Sequence, residues 1–165
     1  MKLVIFLEGT IIMQKSGFNC TRKEIVKQVI EKHASVYDFS SYIPIGDASI
    51  KLQNWRSEGI KIFYLTSRRK SFEIKQIRNV LSNHQFPKGK LLYRKEGDSY
   101  QDIIERIIPD ILIEDDCESI GGTDLLIVTQ LKPEVKRKIK SITIKEFGGI
   151  DHLPNKISLL MNYPK

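Results

Sequence analysis

The sequence predicts an α/β fold in three layers, with a parallel sheet between helices on both faces. One observation is that Leu3–Leu7 is apolar without alternation, as is typical of a strand buried on both faces. A second is that segments of helical period separate this run from later runs of the same kind. The third is that the 165 residues contain no repeat, low-complexity tract or linker. We therefore predict one domain over residues 1–165.

The first strand is followed by a small insert and then by a helix of the main body. Thr21 and Glu24 have the spacing of a capping box, which predicts a helix from about residue 21 to 35. This helix and its flanking loops form the predicted cap insert, at about 12–45. A second helix is expected over Asp47–Glu58, because Gly59 favours a helix end.

Strands and helices continue to alternate in the rest of the chain. The predicted strands are Ile60–Leu65, Lys90–Arg94, Ile111–Ile113, Leu125–Val128 and a final edge strand, Ser141–Phe147. The predicted helices are Phe72–Leu81, a helix from Asp98 to Pro109, Pro133–Ile139 and a short helix at about Asp151–Met161. The helix after residue 98 is expected to begin with an acidic capping box formed by Asp98 and Gln101.

Composition and charge restrict the classes of partner. Hydrophobic residues make up 41% of the chain, but its apolar runs are far shorter than the ~20 residues of a membrane span. We therefore expect a cytoplasmic protein without a membrane partner. The net charge of +7 favours anionic ligands. The densest basic stretch, Lys132–Lys140, lacks the interleaved aromatics of a nucleic-acid platform, so nucleic acid is not the expected partner.

Polar residues follow three of the predicted strands. They are Glu8-Gly9-Thr10, Thr66-Ser67-Arg68 and Glu114-Asp115-Asp116. Ligands of open α/β sheets bind beyond the carboxyl ends of the strands, so we expect these clusters to meet at one edge.

The chemistry of these clusters suits a phosphate and a divalent cation. Paired carboxylates such as Asp115 and Asp116 can hold Mg²⁺, which prefers oxygen ligands. A hydroxyl at Thr66, followed by free N–H groups before a helix, suits a phosphate oxygen. Lys95 could neutralise phosphate charge, and an acid on the first loop could protonate a leaving oxygen.

Four motifs in this order resemble those of the haloacid dehalogenase-like (HAD) superfamily, whose members are largely phosphatases. The first motif falls on residues 6–10 and the second on Ile62–Thr66. The basic third motif falls on Lys95, with Lys90 and Arg94 as alternatives. The fourth falls on residues 111–116, so the resemblance spans about residues 1–130. It implies a three-layer, Rossmann-like fold with a small helical cap.

The resemblance also implies roles for individual residues. Glu8 would be the general acid and base, and Lys95 its cationic neighbour at the phosphate. Mg²⁺ would be held by Glu8, Asp115 and Asp116. A small phosphorylated molecule would contact Thr10, Thr66, Ser67 and Arg68.

Position 6 departs from the family pattern, because Phe6 stands where the attacking aspartate is expected. A phenyl ring cannot attack phosphorus or bind a metal, which closes the covalent route and weakens Mg²⁺ binding. Two hypotheses follow: a magnesium-dependent phosphatase of impaired or absent activity, or a silent domain that binds a phosphorylated ligand or a protein partner. The small cap implies an open site or a lid from a second subunit, as in a homo-oligomer.

Overall fold

The computed structural model describes residues 1–164. In chain order the elements are β1 Lys2–Phe6, β2 Ile12–Met13, α1 Arg22–Ile30, β3 Ile43–Pro44, α2 Ala48–Ser57, β4 Lys61–Leu65, α3 Ser71–Asn83, β5 Lys90–Leu92, α4 Tyr100–Ile107, β6 Ile111–Asp115, α5 Ile127–Gln130, α6 Pro133–Lys136, β7 Lys140–Ile144 and α7 Ile157–Leu160. Five strands form one sheet in the order β5-β4-β1-β6-β7. All four neighbouring pairs are parallel, which confirms the predicted parallel sheet.

The alternation of side chains along β1 divides the apolar core into two layers. Leu3, Ile5 and Leu7 belong to a cluster that includes buried residues of α2, α3 and α7. Val4 and Phe6 point to the other face and pack with residues of α4, α5 and α6. Because successive side chains of a strand alternate between faces, both faces of this central strand are covered. The predicted three-layer arrangement is confirmed.

A small unit lies between β1 and α2, within the predicted insert. It contains the antiparallel pair β2 and β3, helix α1 and three short 3-10 turns. Its own apolar cluster is formed by Met13, Ile25, Val26, Ile45 and Phe147. Phe147 comes from the loop after β7, so this loop joins the insert to the edge of the sheet. The division of the chain into one domain with a cap stays a prediction.

Capping boxes were predicted at the starts of α1 and α4, and only the first prediction is correct. The Thr21 hydroxyl accepts from Glu24 N and the Glu24 carboxylate accepts from Thr21 N, which confirms the first box. The predicted box at Asp98 is wrong by one residue, because Ser99 caps α4 with Asp102 as its partner. Asp98 instead forms an ion pair with Arg106.

The prediction of a strand over Leu125–Val128 is wrong. The segment forms a 3-10 turn, Thr123–Leu125, followed by α5. The cause is the carboxylate of Glu114, which accepts from the N–H groups of Ile127 and Val128 at 2.7 and 3.1 Å and thereby starts a helix. The neighbour of β6 is therefore β7, which confirms the predicted edge strand near its expected position.

Several other elements are shorter than predicted. Strand β5 ends at Leu92 rather than residue 94, helix α6 ends at Lys136, and α7 covers only Ile157–Leu160. The longest helix within residues 1–164 is α3, with 13 residues. No helix of this part of the chain is long and apolar enough to cross a membrane.

Candidate functional site

A cavity of about 730 Å³ lies at the carboxyl edge of the sheet. Residues at the ends of all five strands contribute to its lining, as the parallel arrangement predicts. Across the sheet, the end of β5 contributes Arg94, that of β4 contributes Ser67 and Arg68, and that of β1 contributes Phe6 and Glu8. Asp115 comes from β6 and Glu146 follows β7. The two strands at one side carry arginines and the two at the other carry acids. We call the tips of β4 and β5 the basic half, and the tips of β6 and β7 the acidic half.

Glu8 lies between the two halves and is held by groups that were predicted to bind phosphate. One carboxylate oxygen accepts from the Thr66 hydroxyl, and the other accepts from Ser67 N at 3.1 Å. The Nε atom of Arg68 lies 3.8 Å from the first oxygen. Burial raises the pKa of Glu8, and the hydrogen bond from Thr66 opposes that shift. The protein's own carboxylate thus occupies the predicted phosphate cradle.

Phe6 lines the cavity at the position predicted for a nucleophile. Its ring meets the ring of Tyr100 edge to face, with 5.5 Å between ring centres and 74° between planes. Edge-to-face pairs of this kind are attractive beyond the area that they bury. The end of β1 is therefore stabilised by apolar packing and presents no atom that could attack phosphorus.

Asp115 is buried and holds two loops together. Its carboxylate accepts from the Thr10 hydroxyl at 2.7 Å and from Cys117 N at 3.0 Å. Burial raises the pKa of Asp115, and the two hydrogen bonds oppose that shift. Gly9 makes this approach possible: its φ is +83°, and an added Cβ would lie 3.1 Å from a carboxylate oxygen of Asp115.

Asp116 turns away from Asp115. Its carboxylate accepts from Glu146 N and forms an ion pair with Lys145, both at 3.0 Å. Partial burial alone would raise the pKa of Asp116, but these partners bring it below its usual value. The carboxylate of Glu146 in turn accepts from Ser119 N and from the Ser119 hydroxyl, both at 2.6 Å.

The donor set does not fit a magnesium ion as it stands. Glu8, Asp115 and Asp116, the predicted ligands, contact three different sets of internal partners. Within residues 1–164 no three acidic, histidine or cysteine side chains are grouped as a metal site would require. Phe6 offers no oxygen. Magnesium binding therefore stays a prediction, and we derive no chemical step from it.

Glu114, the first acid after the fourth predicted strand, serves the fold. It is 3% exposed and points to the face of the sheet that α5 covers, where it caps that helix. Burial raises its pKa to about 7, although the N–H groups of Ile127 and Val128 favour the charged form. The acid triplet thus separates into three carboxylates with different surroundings.

Within the described chain, Arg94 lines the cavity without an acidic partner, whereas Arg68, which also lines it, faces Glu8. The guanidinium carbon of Arg94 lies 4.2 Å from the centre of the Tyr100 ring. Its Nε atom is buried without a hydrogen-bond partner, and no acid within residues 1–164 forms an ion pair with it. Of the other candidates, Lys95 is exposed and does not line the cavity, and Lys90 lies at the opposite end of β5. The predicted role of Lys95 is untested.

Three further residues at the site, Tyr100, Phe39 and Glu146, were not predicted from the sequence. Both aromatic rings support arginines: Arg68 lies 4.4 Å from the centre of the Phe39 ring, as Arg94 lies over Tyr100. Glu146 follows β7 directly, so correct placement of that strand beside β6 would have identified it. The aromatic residues come from the insert and from α4, and no sequence spacing relates them to the strand ends.

No family model matches the chain. No curated protein matches it either. The similarities therefore come from solved structures alone.

Solved structures share the fold at low sequence identity. A class C acid phosphatase from Bacillus anthracis with tungstate bound matches 90% of this chain and 68% of its own, at 14% identity and a TM-score of 0.53. A chain in a Pnkp1/Rnl/Hen1 complex matches 87% of this chain at 13% identity and a TM-score of 0.54. Our chain spans 46% of that one. These similarities support the Rossmann-like, HAD-like fold, and at such identity they show the fold alone.

Proposed function

We propose that this chain is a phosphatase-like domain that binds a phosphorylated ligand without hydrolysing it. The observation that carries the proposal is the arrangement around Tyr100. Its ring contacts Phe6, where a nucleophile is expected, and also supports the guanidinium of Arg94. The site thus combines an inert residue at the reacting position with a cation suited to a phosphate oxygen.

The hydrogen bonds of Glu8 support the proposal that the ligand is not hydrolysed. A general acid must be free to reach the leaving oxygen of a substrate. Glu8 is instead engaged by the Thr66 hydroxyl and Ser67 N, and its charge is balanced by Arg68. Hydrolysis would require this carboxylate to leave its partners and a nucleophile to be supplied from elsewhere.

The state of Arg94 supports ligand binding. A guanidinium that is partly removed from water gains most from an anionic partner, because hydrogen bonds to charged groups are the stronger ones. Arg68 already faces Glu8, whereas Arg94 has no acid partner in the described chain. An incoming phosphate would satisfy a donor that the fold leaves unused.

The test measures binding and turnover separately. We expect titration calorimetry to detect phenyl phosphate binding, and phosphate release to stay at the buffer rate with and without Mg²⁺. Magnesium-dependent hydrolysis by the unmodified protein would contradict the proposal, as would failure to bind any phosphate. Hydrolysis measured with the Phe6→Asp variant shows whether the site supports turnover once a carboxylate stands at position 6. The Phe6→Asn variant is the control, because asparagine is not a nucleophile. Circular dichroism checks that both variants fold.

A further inference from the structure

We infer that the ligand of this cavity is a phosphomonoester with an apolar organic group, such as an aryl or alkyl phosphate. This inference rests on the proposed function and adds the chemical class of the ligand. It concerns the mouth of the cavity, where the chain exposes apolar side chains. Arg94 would hold the phosphate, and the mouth would hold the rest of the molecule.

Exposed apolar side chains are concentrated at this mouth. Of eleven large apolar side chains exposed among residues 1–164, four line this one cavity. They are Ile30, Tyr37, Ile120 and Leu125, whose exposed fractions are 60%, 56%, 65% and 45%. Clustering of exposed apolar surface around a concave site is typical of a binding surface. We call these four residues the apolar rim.

The rim has two sides that belong to different parts of the fold. Ile30 ends helix α1 and Tyr37 ends a short 3-10 turn, so both belong to the insert. Ile120 and Leu125 lie in the segment between β6 and α5. An apolar group between these sides would be removed from water on both faces, which is the favourable arrangement for hydrophobic burial.

Part of the polar lining is already engaged within the protein. Four neutral polar side chains of the lining already form internal hydrogen bonds, namely Gln14, Ser67, Ser99 and Ser119. A sugar hydroxyl that reached one of these four groups would have to displace its internal bond, which costs free energy. An apolar substituent avoids that cost.

The charges of the cavity locate the anionic end of such a ligand. The acidic half carries the carboxylates of Asp115 and Glu146, which repel a phosphate. Arg94 supplies a cation at the other side, over the ring of Tyr100, which in turn contacts Phe6. A ligand that is anionic at one end and apolar at the other matches this distribution.

Calorimetry with three probes tests the inference on the full chain. We expect phenyl phosphate to bind about tenfold more tightly than inorganic phosphate or glycerol 1-phosphate, because the ring buries apolar area. Ile120→Ser and Tyr37→Ser should each reduce that preference severalfold and leave inorganic phosphate binding unchanged. Phe72→Ser is the matched control, since Phe72 is 58% exposed on α3, away from the cavity.

The outcomes separate the two proposals. If no probe binds, the proposed function itself fails. If all three probes bind equally, or if glycerol 1-phosphate binds best, phosphate binding stands and the apolar ligand is excluded. Light scattering provides a second control: a lower molecular mass of the Ile120→Ser variant would identify the rim as an interface between copies of the chain and overturn the inference.

Discussion

The acidic and basic halves of the cavity are built from the same kind of strand end but are stabilised in different ways. In the acidic half, the carboxylates of Asp115 and Glu146 accept from hydroxyl and backbone N–H groups of neighbouring loops. In the basic half, the guanidinium groups of Arg68 and Arg94 lie over aromatic rings. A carboxylate held by internal donors orders the fold, whereas a guanidinium on a ring keeps N–H groups available to a ligand.

The difference teaches that acidic residues at strand ends can join neighbouring loops through hydrogen bonds. The predicted magnesium ligands followed the expected strands, but each is committed to separate partners. The comparison therefore predicts that substitutions in the acidic half change stability, and that substitutions in the basic half change binding.

Glu114 should give the largest effect, through the pH dependence of stability. Its pKa of about 7 in the folded protein lies above the value of an unfolded glutamate, so the folded state binds the proton more tightly. The contribution of Glu114 to the free energy of unfolding is fully present below about pH 4.5 and is lost as pH rises through 7. The expected loss is at most about 3 kcal/mol.

Urea unfolding between pH 4 and 8 measures this loss. We expect the free energy of unfolding to decline less with pH in Glu114→Gln than in the unmodified protein, since glutamine does not titrate. Glu134→Gln is the matched control, because Glu134 is exposed on α6. Parallel pH profiles of the unmodified protein and Glu114→Gln would show that Glu114 is not the titrating group.

Asp115→Ala should reduce the free energy of unfolding by about 2 kcal/mol. The substitution leaves the Thr10 hydroxyl and Cys117 N without their acceptor in a buried position. Arg94→Gln should cost less than about 1 kcal/mol, because Arg94 makes no hydrogen bond or ion pair within residues 1–164. Urea unfolding of both variants compares the two halves directly. Equal losses in the free energy of unfolding would show that the acidic and basic halves do not differ in their contribution to stability.

Glu8→Ala should strengthen the binding of inorganic phosphate about tenfold, or about 1.4 kcal/mol. It removes a negative charge and frees Thr66, Ser67 N and Arg68 for an incoming anion. Glu8→Gln, which loses the charge but keeps an acceptor, should give a smaller gain in the same calorimetric titration. Unchanged or weaker binding by Glu8→Ala would mean that the cradle does not accept phosphate.

Magnesium should have the smallest effect. Since the acids do not form a common ligand set, we expect millimolar Mg²⁺ to change the melting temperature by less than about 1 °C. Thermal unfolding at several magnesium concentrations measures this. A saturable increase that disappears in Asp115→Asn would restore the metal site that the sequence predicted.

The sequence predicted the sheet well because buried parallel strands are continuous apolar runs, as Leu3–Leu7 shows. It also predicted which strand ends meet, since the topology of α/β sheets places them on one edge. It failed at Leu125–Val128, where a carboxylate on the preceding strand, 13 residues earlier, caps a helix that has little helical pattern of its own. Local sequence cannot reveal such a partner.

The sequence indicated several residues of the candidate site but not the contacts between them. Glu8, Thr66 and Ser67 were selected correctly as neighbours, yet the sequence did not reveal that Glu8 binds the other two. The choice between Lys95 and Arg94 depended on where β5 ends. Because that strand ends at Leu92, strand alternation does not fix which following side chain enters the cavity, and Arg94 does so by packing against Tyr100.

The central claim is that Glu8 fills the predicted cradle of Thr66 and Ser67, so that a phosphate binds in the basic half. The position of a bound heavy anion tests this claim most directly. Crystals of the unmodified protein soaked in tungstate would give an anomalous signal for tungsten. Our account predicts the signal beside the guanidinium of Arg94, with Glu8 still bound to Thr66. A signal between Thr66 and Ser67, with Glu8 displaced, would contradict it.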